Sequence, residues 1–150
     1  MKHSLERDPV VVLSDVARLI RTLADGRARA HGMTRAQWMI LVRLDRQPGM
    51  SQNELAALIE VEPITVARLI DRLEKRGMVE RRPDPADRRI WRLHLTQAAR
   101  PMLEEIFKAR AELNAILVDG IAQKDLDTVV GCLLQMKVNL TDTRASAKTA

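Results

Sequence analysis

Asp87-Arg88-Arg89 places two guanidinium groups and one carboxylate at a single turn of the chain. An aspartate two residues before an arginine can hold that arginine extended through a charge-assisted pair. An arginine presented in this way suits the narrow, electronegative minor groove of duplex DNA. Upstream, Thr65, Arg68 and Arg72 recur at i, i+3 and i+7 behind Pro63, which places them on one side of a helix. Arg68 is long enough for a bidentate contact to guanine, and the Thr65 methyl can touch thymine. Arg72, a turn further on, is placed for phosphate. Ser51-Gln52-Asn53 opens a second helix, whose side chains and free amides can hold a backbone phosphate. Arg88, Arg81, Arg82 and Arg92 would supply further phosphate neutralisation. The plainer alternatives are a solvated helix face, with Arg68 paired to Asp71 or Arg72 to Glu74, a simple helix cap at Ser51, and an ordinary exposed ion pair at the turn.

Composition narrows the partner. The chain has 150 residues and a net charge of +5. Its first 100 residues hold 19 basic side chains against 13 acidic ones, so the surplus lies ahead of the C-terminal helices and suits a polyanion. With no Tyr, one Phe (Phe107) and two Trp (Trp38, Trp91), the chain cannot build the aromatic platform that readers of single strands use. Duplex DNA fits better. The three histidines fall in separate elements, and no nucleophile–histidine pair, phosphate loop or paired-carboxylate motif occurs, so catalysis is not expected. No metal-ligand spacing is present, and neither metal nor cofactor is expected. No apolar run reaches the length of a membrane span, and no signal peptide is recognisable at Lys2-His3. The single cysteine, Cys132, reads as a buried small apolar residue of a reduced, cytoplasmic protein.

The elements that must position these groups are mainly helical. Asp8-Pro9 is a capped helix start, followed by Val12, Val16, Leu19 and Leu23 at helical spacing and ended by Gly32. Thr34 to Gln37 is a capping box opening a helix with Trp38, Leu41, Val42 and Leu44 inward, stopped by Gln47-Pro48-Gly49. Ser51 to Glu54 is a second capping box. Glu62-Pro63 opens the next helix, with Val66, Leu69, Ile70 and Leu73 inward and Gly77 as its stop. Two short helices with a polar face on the second make a helix-turn-helix. Strands at Met78–Arg82 and Ile90–Leu95 flank the turn Pro83–Asp87. Trp91, Leu93 and Leu95 fall on one face of the second strand. Thr96 is the expected cap of a long helix whose start Pro101 bends or shifts, with Met102, Ile106, Ala109, Leu113 and Ile116 inward. A last helix carries Leu126, Val129, Leu133, Met136 and Leu140, and the polar tail 142–150 is expected to fray. The terminal helices hold more apolar surface than the central motif can cover. They form either an intramolecular bundle or a seam with a second copy, and the two-fold arrangement of DNA half-sites favours the second copy.

The segments ARLIDRLEKRGMVERRPDPADRRIWRLHLT (67–96), SQNELAALIEVEP (51–63) and TRAQWMIL (34–41) resemble the MarR/SlyA family of winged helix-turn-helix regulators across roughly residues 8–140. The resemblance implies a mainly α fold with a small two-to-three-stranded β-wing. Residues 34–96 would form the DNA-binding lobe, and 8–33 with 97–141 an intertwined helical dimerisation region. It implies a homodimer that binds a pseudo-palindromic operator, usually as a repressor, with Arg89 entering the minor groove. Many members bind small phenolic or other lipophilic anions. Arg21 and Trp38 match the positions that help line such a site for aromatic carboxylates, the alternative being a core tryptophan and a surface arginine. A second class of function also stands: a winged-helix module for DNA architecture or a protein partner, with no effector.

Overall fold

The computed structural model of this chain describes residues 5–148, and side chains for 5–143. The chain divides into two compact units at Leu113/Asn114. The first holds α1 (Pro9–Ala30), α2 (Arg35–Arg46), β1 (Met50–Ser51), α3 (Gln52–Ile59), α4 (Pro63–Lys75), β2 (Val79–Pro83), β3 (Trp91–Leu95) and most of α5 (Arg100–Val118). The second holds the end of α5 and α6 (Gln123–Lys148). Among the described residues these are six α-helices and one antiparallel three-stranded sheet of order β1-β3-β2. This is a mainly α winged helix-turn-helix fold. Among the described residues no helix is long and apolar enough to cross a membrane.

The caps read from sequence form. Asp8 accepts from the amides of Val10 and Val11, and Thr34/Gln37 and Ser51/Glu54 close reciprocal capping boxes. Each satisfies amide donors that a helix start leaves open. Thr96 does not cap α5. Its hydroxyl donates to the Gly77 carbonyl, and a 3-10 turn, Gln97–Ala99, precedes α5, so Pro101 falls in the first turn where a missing N–H costs nothing.

Inside the first unit, Val66, Leu69, Ile70 and Leu73 of α4 are all buried, with Ile40, Leu41, Leu44, Leu55 and Leu93 beneath them. Each such burial stabilises by about 1.5–3 kcal/mol. Trp91 alternates in phase with Leu93 yet is exposed, because it sits at the outer end of β3 opposite Pro83. β1 was not foreseen: Met50 pairs with Leu93 and Ser51 with Arg92, and left-handed Gly49 donates its N–H to the Leu93 carbonyl.

The apolar stripes of the terminal helices stay uncovered in the single chain, and of the inward positions expected on α5 only Ile116 is exposed. Val12, Val16, Leu19 and Leu23 of α1, Ile116 of α5, and Val129, Leu133, Met136 and Leu140 of α6 are exposed in the single chain. Cys132 is exposed too, not buried. α6 continues to Lys148, beyond the expected end near Leu140.

Candidate nucleic-acid interface

α4 starts at Pro63 without a side-chain cap from Glu62. Its position is set instead from α3, where the Gln52 side-chain amide donates to the Pro63 carbonyl at 3.2 Å. Gln52, expected to meet phosphate, is therefore engaged in fixing the angle between the two helices. Ser51 is used in its own cap: its hydroxyl accepts from the Glu54 amide (3.2 Å), and its amide donates to the Glu54 carboxylate (2.7 Å). Asn53 is exposed at the same helix start.

Thr65, Arg68 and Arg72 are all exposed on α4. The acidic neighbours that could have neutralised the two arginines are occupied elsewhere. Arg81 of β2 donates to Asp71 at 2.7 Å and also pairs with Glu74. Arg68 and Arg72 consequently have no ion-pair partner among the described residues. Two positive charges stand free on this face while the wing strand is tied to the helix behind them.

β2 and β3 pair from Val79–Leu95 out to Pro83–Trp91, which makes a narrow ribbon closed by residues 84–90. Asp84 organises the turn. One oxygen accepts from the amides of Ala86 (2.7 Å) and Asp87 (3.0 Å), and the other accepts from Arg92 Nε at 2.6 Å. At the tip, Asp87 grips Arg89 with two parallel bonds, Nε to Oδ1 and Nη2 to Oδ2, both 3.0 Å, and also accepts from the Arg89 amide. The Arg89 side chain remains 90% exposed in this grip. The expected orienting pair is thus formed, with the guanidinium facing solvent.

Of the remaining wing arginines, expected to neutralise phosphate, three are paired within the chain. Arg82 pairs with Glu80, and Arg81 with Asp71 and Glu74. Arg92 bridges Asp84, Glu54 (3.0 Å) and the Gly49 carbonyl (3.3 Å), which joins wing, α3 and the turn before β1. Its guanidinium is a structural buckle rather than a free cation. Arg88 alone of the four is exposed with no partner among the described residues. Sequence inspection missed Asp84. The signal was present, since an aspartate ahead of a proline at a turn start is placed to bond the following amides.

Three carboxyls here lie below their ordinary range. Asp84 is lowered chiefly by the hydrogen bond from Arg92, then by the Asp87 and Ala86 amides. Asp87 is lowered by the Arg89 side chain, then by its amide. Glu54 is lowered by the Ser51 amide first, with Arg92 contributing. The matching shifts of Arg89 and Arg92 are upward, through Asp87 and Asp84 respectively.

The fold brings the two expected clusters to one place. A concavity of about 320 Å³ is lined by Ser51, Gln52 and Asn53 on one side and by Arg81, Arg89, Ile90, Trp91 and Leu93 on the other. It does not join Arg21 to Trp38. Trp38 is buried and lines a separate concavity of about 310 Å³ with Arg35, Met39, Val42, Arg43, Arg46, Ile106 and Arg110. Arg21 is exposed on α1 and absent from that lining, so the basic partners of the indole come from α2 and α5 instead. Among the described residues no group of three metal-ligating side chains comes together.

The sequence profile of the MarR family matches residues 33–91. A solved transcriptional regulator, PA3341, is 31% identical, with a TM-score of 0.77 over 87% of this chain and 96% of its own. The transcriptional regulator SlyA is 26% identical, with a TM-score of 0.78 over 90% of this chain and 95% of its own. A Listeria monocytogenes protein assigned to the MarR family of transcriptional regulators, solved complexed with 26mer DNA, shares the fold at 20% identity, with a TM-score of 0.79 over 96% of each chain.

Proposed function

This chain belongs to the MarR family of transcriptional regulators, and we propose that it is a cytoplasmic, non-enzymatic homodimer that represses transcription by binding a pseudo-palindromic duplex operator. The observation that carries this reading is the wing tip. The Asp87–Arg89 fork holds an exposed guanidinium at the end of a narrow two-stranded ribbon, in the same unit as a helix whose Arg68 and Arg72 have no ion-pair partner among the described residues. A helix of this kind fits the major groove and the ribbon an adjacent minor groove. Pro63 and Thr65 at the start of α4, and Arg88 and Asn53, complete the contacts. The 26mer DNA held by the Listeria fold neighbour supports a duplex as the partner. The exposed apolar residues of α1 and α6 support the second copy.

Release by a small aromatic or lipophilic anion is the second half of the proposal. The Trp38 concavity offers an apolar wall from Met39, Val42 and Ile106 and four guanidinium groups on its rim. That pairing suits a ring bearing a carboxylate. Arg110 is the residue we assign to the carboxylate in place of Arg21.

The test is a titration of labelled duplex from the region upstream of the protein's own gene, in competition with bulk DNA, with and without benzoate. The expected result is binding roughly 10³-fold or more above bulk DNA, weakened by benzoate in the wild type and not in Arg110→Ala. Equal affinity for operator and bulk DNA would overturn the regulator reading in favour of an architectural one.

A further inference from the structure

Ile64 is the anomaly of the recognition helix. It is 66% exposed, the most exposed large apolar side chain between Val10 and Leu140. The buried stripe of α4 is Val66, Leu69, Ile70 and Leu73. At about 100° per residue, the direction opposite that stripe falls on Ile64, with Arg68 one turn on beside it, while Thr65 lies toward a flank. The helix therefore presents an isoleucine at the centre of its outward face, in its first turn, next to an unpaired arginine. No core residue covers it, and Gln52 fixes the turn that carries it through the Pro63 carbonyl.

We infer that Ile64 is a specificity-determining residue that packs against the 5-methyl group of a thymine in the major groove. This inference rests on the proposed duplex reading. Three observations select that occupant. The face around Ile64 carries exposed Arg68, Arg72 and Lys75, and the carboxylate on it, Asp71, is already paired with Arg81, which suits the phosphate-lined walls of a groove rather than an apolar protein partner. Ile64 is a single branched side chain, matched in size to one methyl and not to a groove of a partner helix. Thymine is the base that offers an apolar group on the major-groove edge, so an isoleucine there distinguishes it from the other three. Arg68, one turn along, reaches the neighbouring pair through hydrogen bonds, and the two together read adjacent positions by different chemistry.

The experiment removes the methyl and nothing else. Full-length protein selects a binding duplex from a random pool. That duplex is then remade with deoxyuridine replacing thymine, one position at a time, which keeps every hydrogen-bonding group. For the wild type, one thymine in each half-site should prove sensitive, its replacement weakening binding about fourfold. Ile64→Ala should bind the thymine and deoxyuridine duplexes alike, and no more weakly than wild type binds the deoxyuridine form, because the lost methyl and the lost side chain are one contact. Ile64→Val should keep part of the discrimination, and Thr65→Ser all of it. The exposed position means that neither Ile64 variant should shift the melting temperature. Indifference of the wild type to every replacement would overturn the assignment, as would undiminished discrimination by Ile64→Ala. A pool from which the wild type retains no duplex would instead overturn the duplex reading on which it stands.

Discussion

Asp87 poses an electrostatic question that its geometry answers. By Coulomb's law alone, a carboxylate on a surface that meets phosphate opposes binding, and its removal should strengthen it. Here both oxygens of Asp87 are spent on one guanidinium. A fork held before contact loses less side-chain entropy when it enters a groove. Asp87→Ala should therefore weaken operator binding, and the double variant with Arg89→Ala should lose little more than Arg89→Ala alone. Binding titrations of the two single variants and the double at one salt concentration check this, and additive losses would separate the two residues. The same pair sets a pH dependence. Asp84 and Asp87 are both held below their ordinary values, so each favours the folded wing above its unfolded value and ceases to do so as pH falls through the lowered one. The wing tip should stay formed from pH 8 down through the ordinary aspartate range near about 4. The Arg89 Nε–H resonance should reveal its loss only in more acidic solution.

The helices and the wing were legible because their signals are local. Asp8, Thr34 and Ser51 announce helix starts within four residues, and Asp87 sits two residues from its partner. What was not legible depends on chain closure. β1 has two residues and no periodicity, and it becomes a strand only because β3 pairs with it. Arg92 looks in sequence like one more wing cation. Only the folded sheet brings it to Glu54, across 38 positions, and to the Gly49 carbonyl. Arg81 likewise meets Asp71 and Glu74 because β2 turns back along α4. These bridges make α3, α4 and the wing one reading head, and they predict how Arg92 behaves. As a phosphate ligand, its removal would lower the salt dependence of binding by about one counterion. As a buckle, its removal leaves the Asp84 side chain, only 12% exposed, without its cation. Arg92→Ala should lower the melting temperature of the free protein by a few degrees and leave the salt slope unchanged. Arg92→Lys should recover little, because a point charge cannot bridge two carboxylates and a carbonyl. Melting curves and salt titrations of the three proteins decide between the two roles.

In the molecule as a whole, the apolar residues that α1 and α6 leave uncovered support the proposed second copy. A run of exposed Val, Leu and Met along two long helices exceeds the scattered apolar side chains an ordinary surface carries. The sequence displayed these stripes, but periodicity cannot say whether a stripe packs within its own chain or against another. If α1 is part of a two-fold seam, a charge at Leu19, exposed in the single chain, becomes a buried unpaired charge in the pair. Leu19→Asp should sediment at the 17.0 kDa chain mass where the wild type sediments at twice that value, with the helical content of the chain retained. Two reading heads joined in this way should demand two related half-sites, so that the molecule reads duplex DNA as a pair. Hydroxyl-radical footprinting on a duplex selected from a random pool tests it most directly. We predict an inverted repeat with half-site centres about one helical turn, roughly 10–10.5 base pairs, apart, flanked by protected minor grooves where each Arg89 enters, and one dimer bound per duplex. A single asymmetric footprint left by one chain, or protection that follows no sequence, would contradict the account.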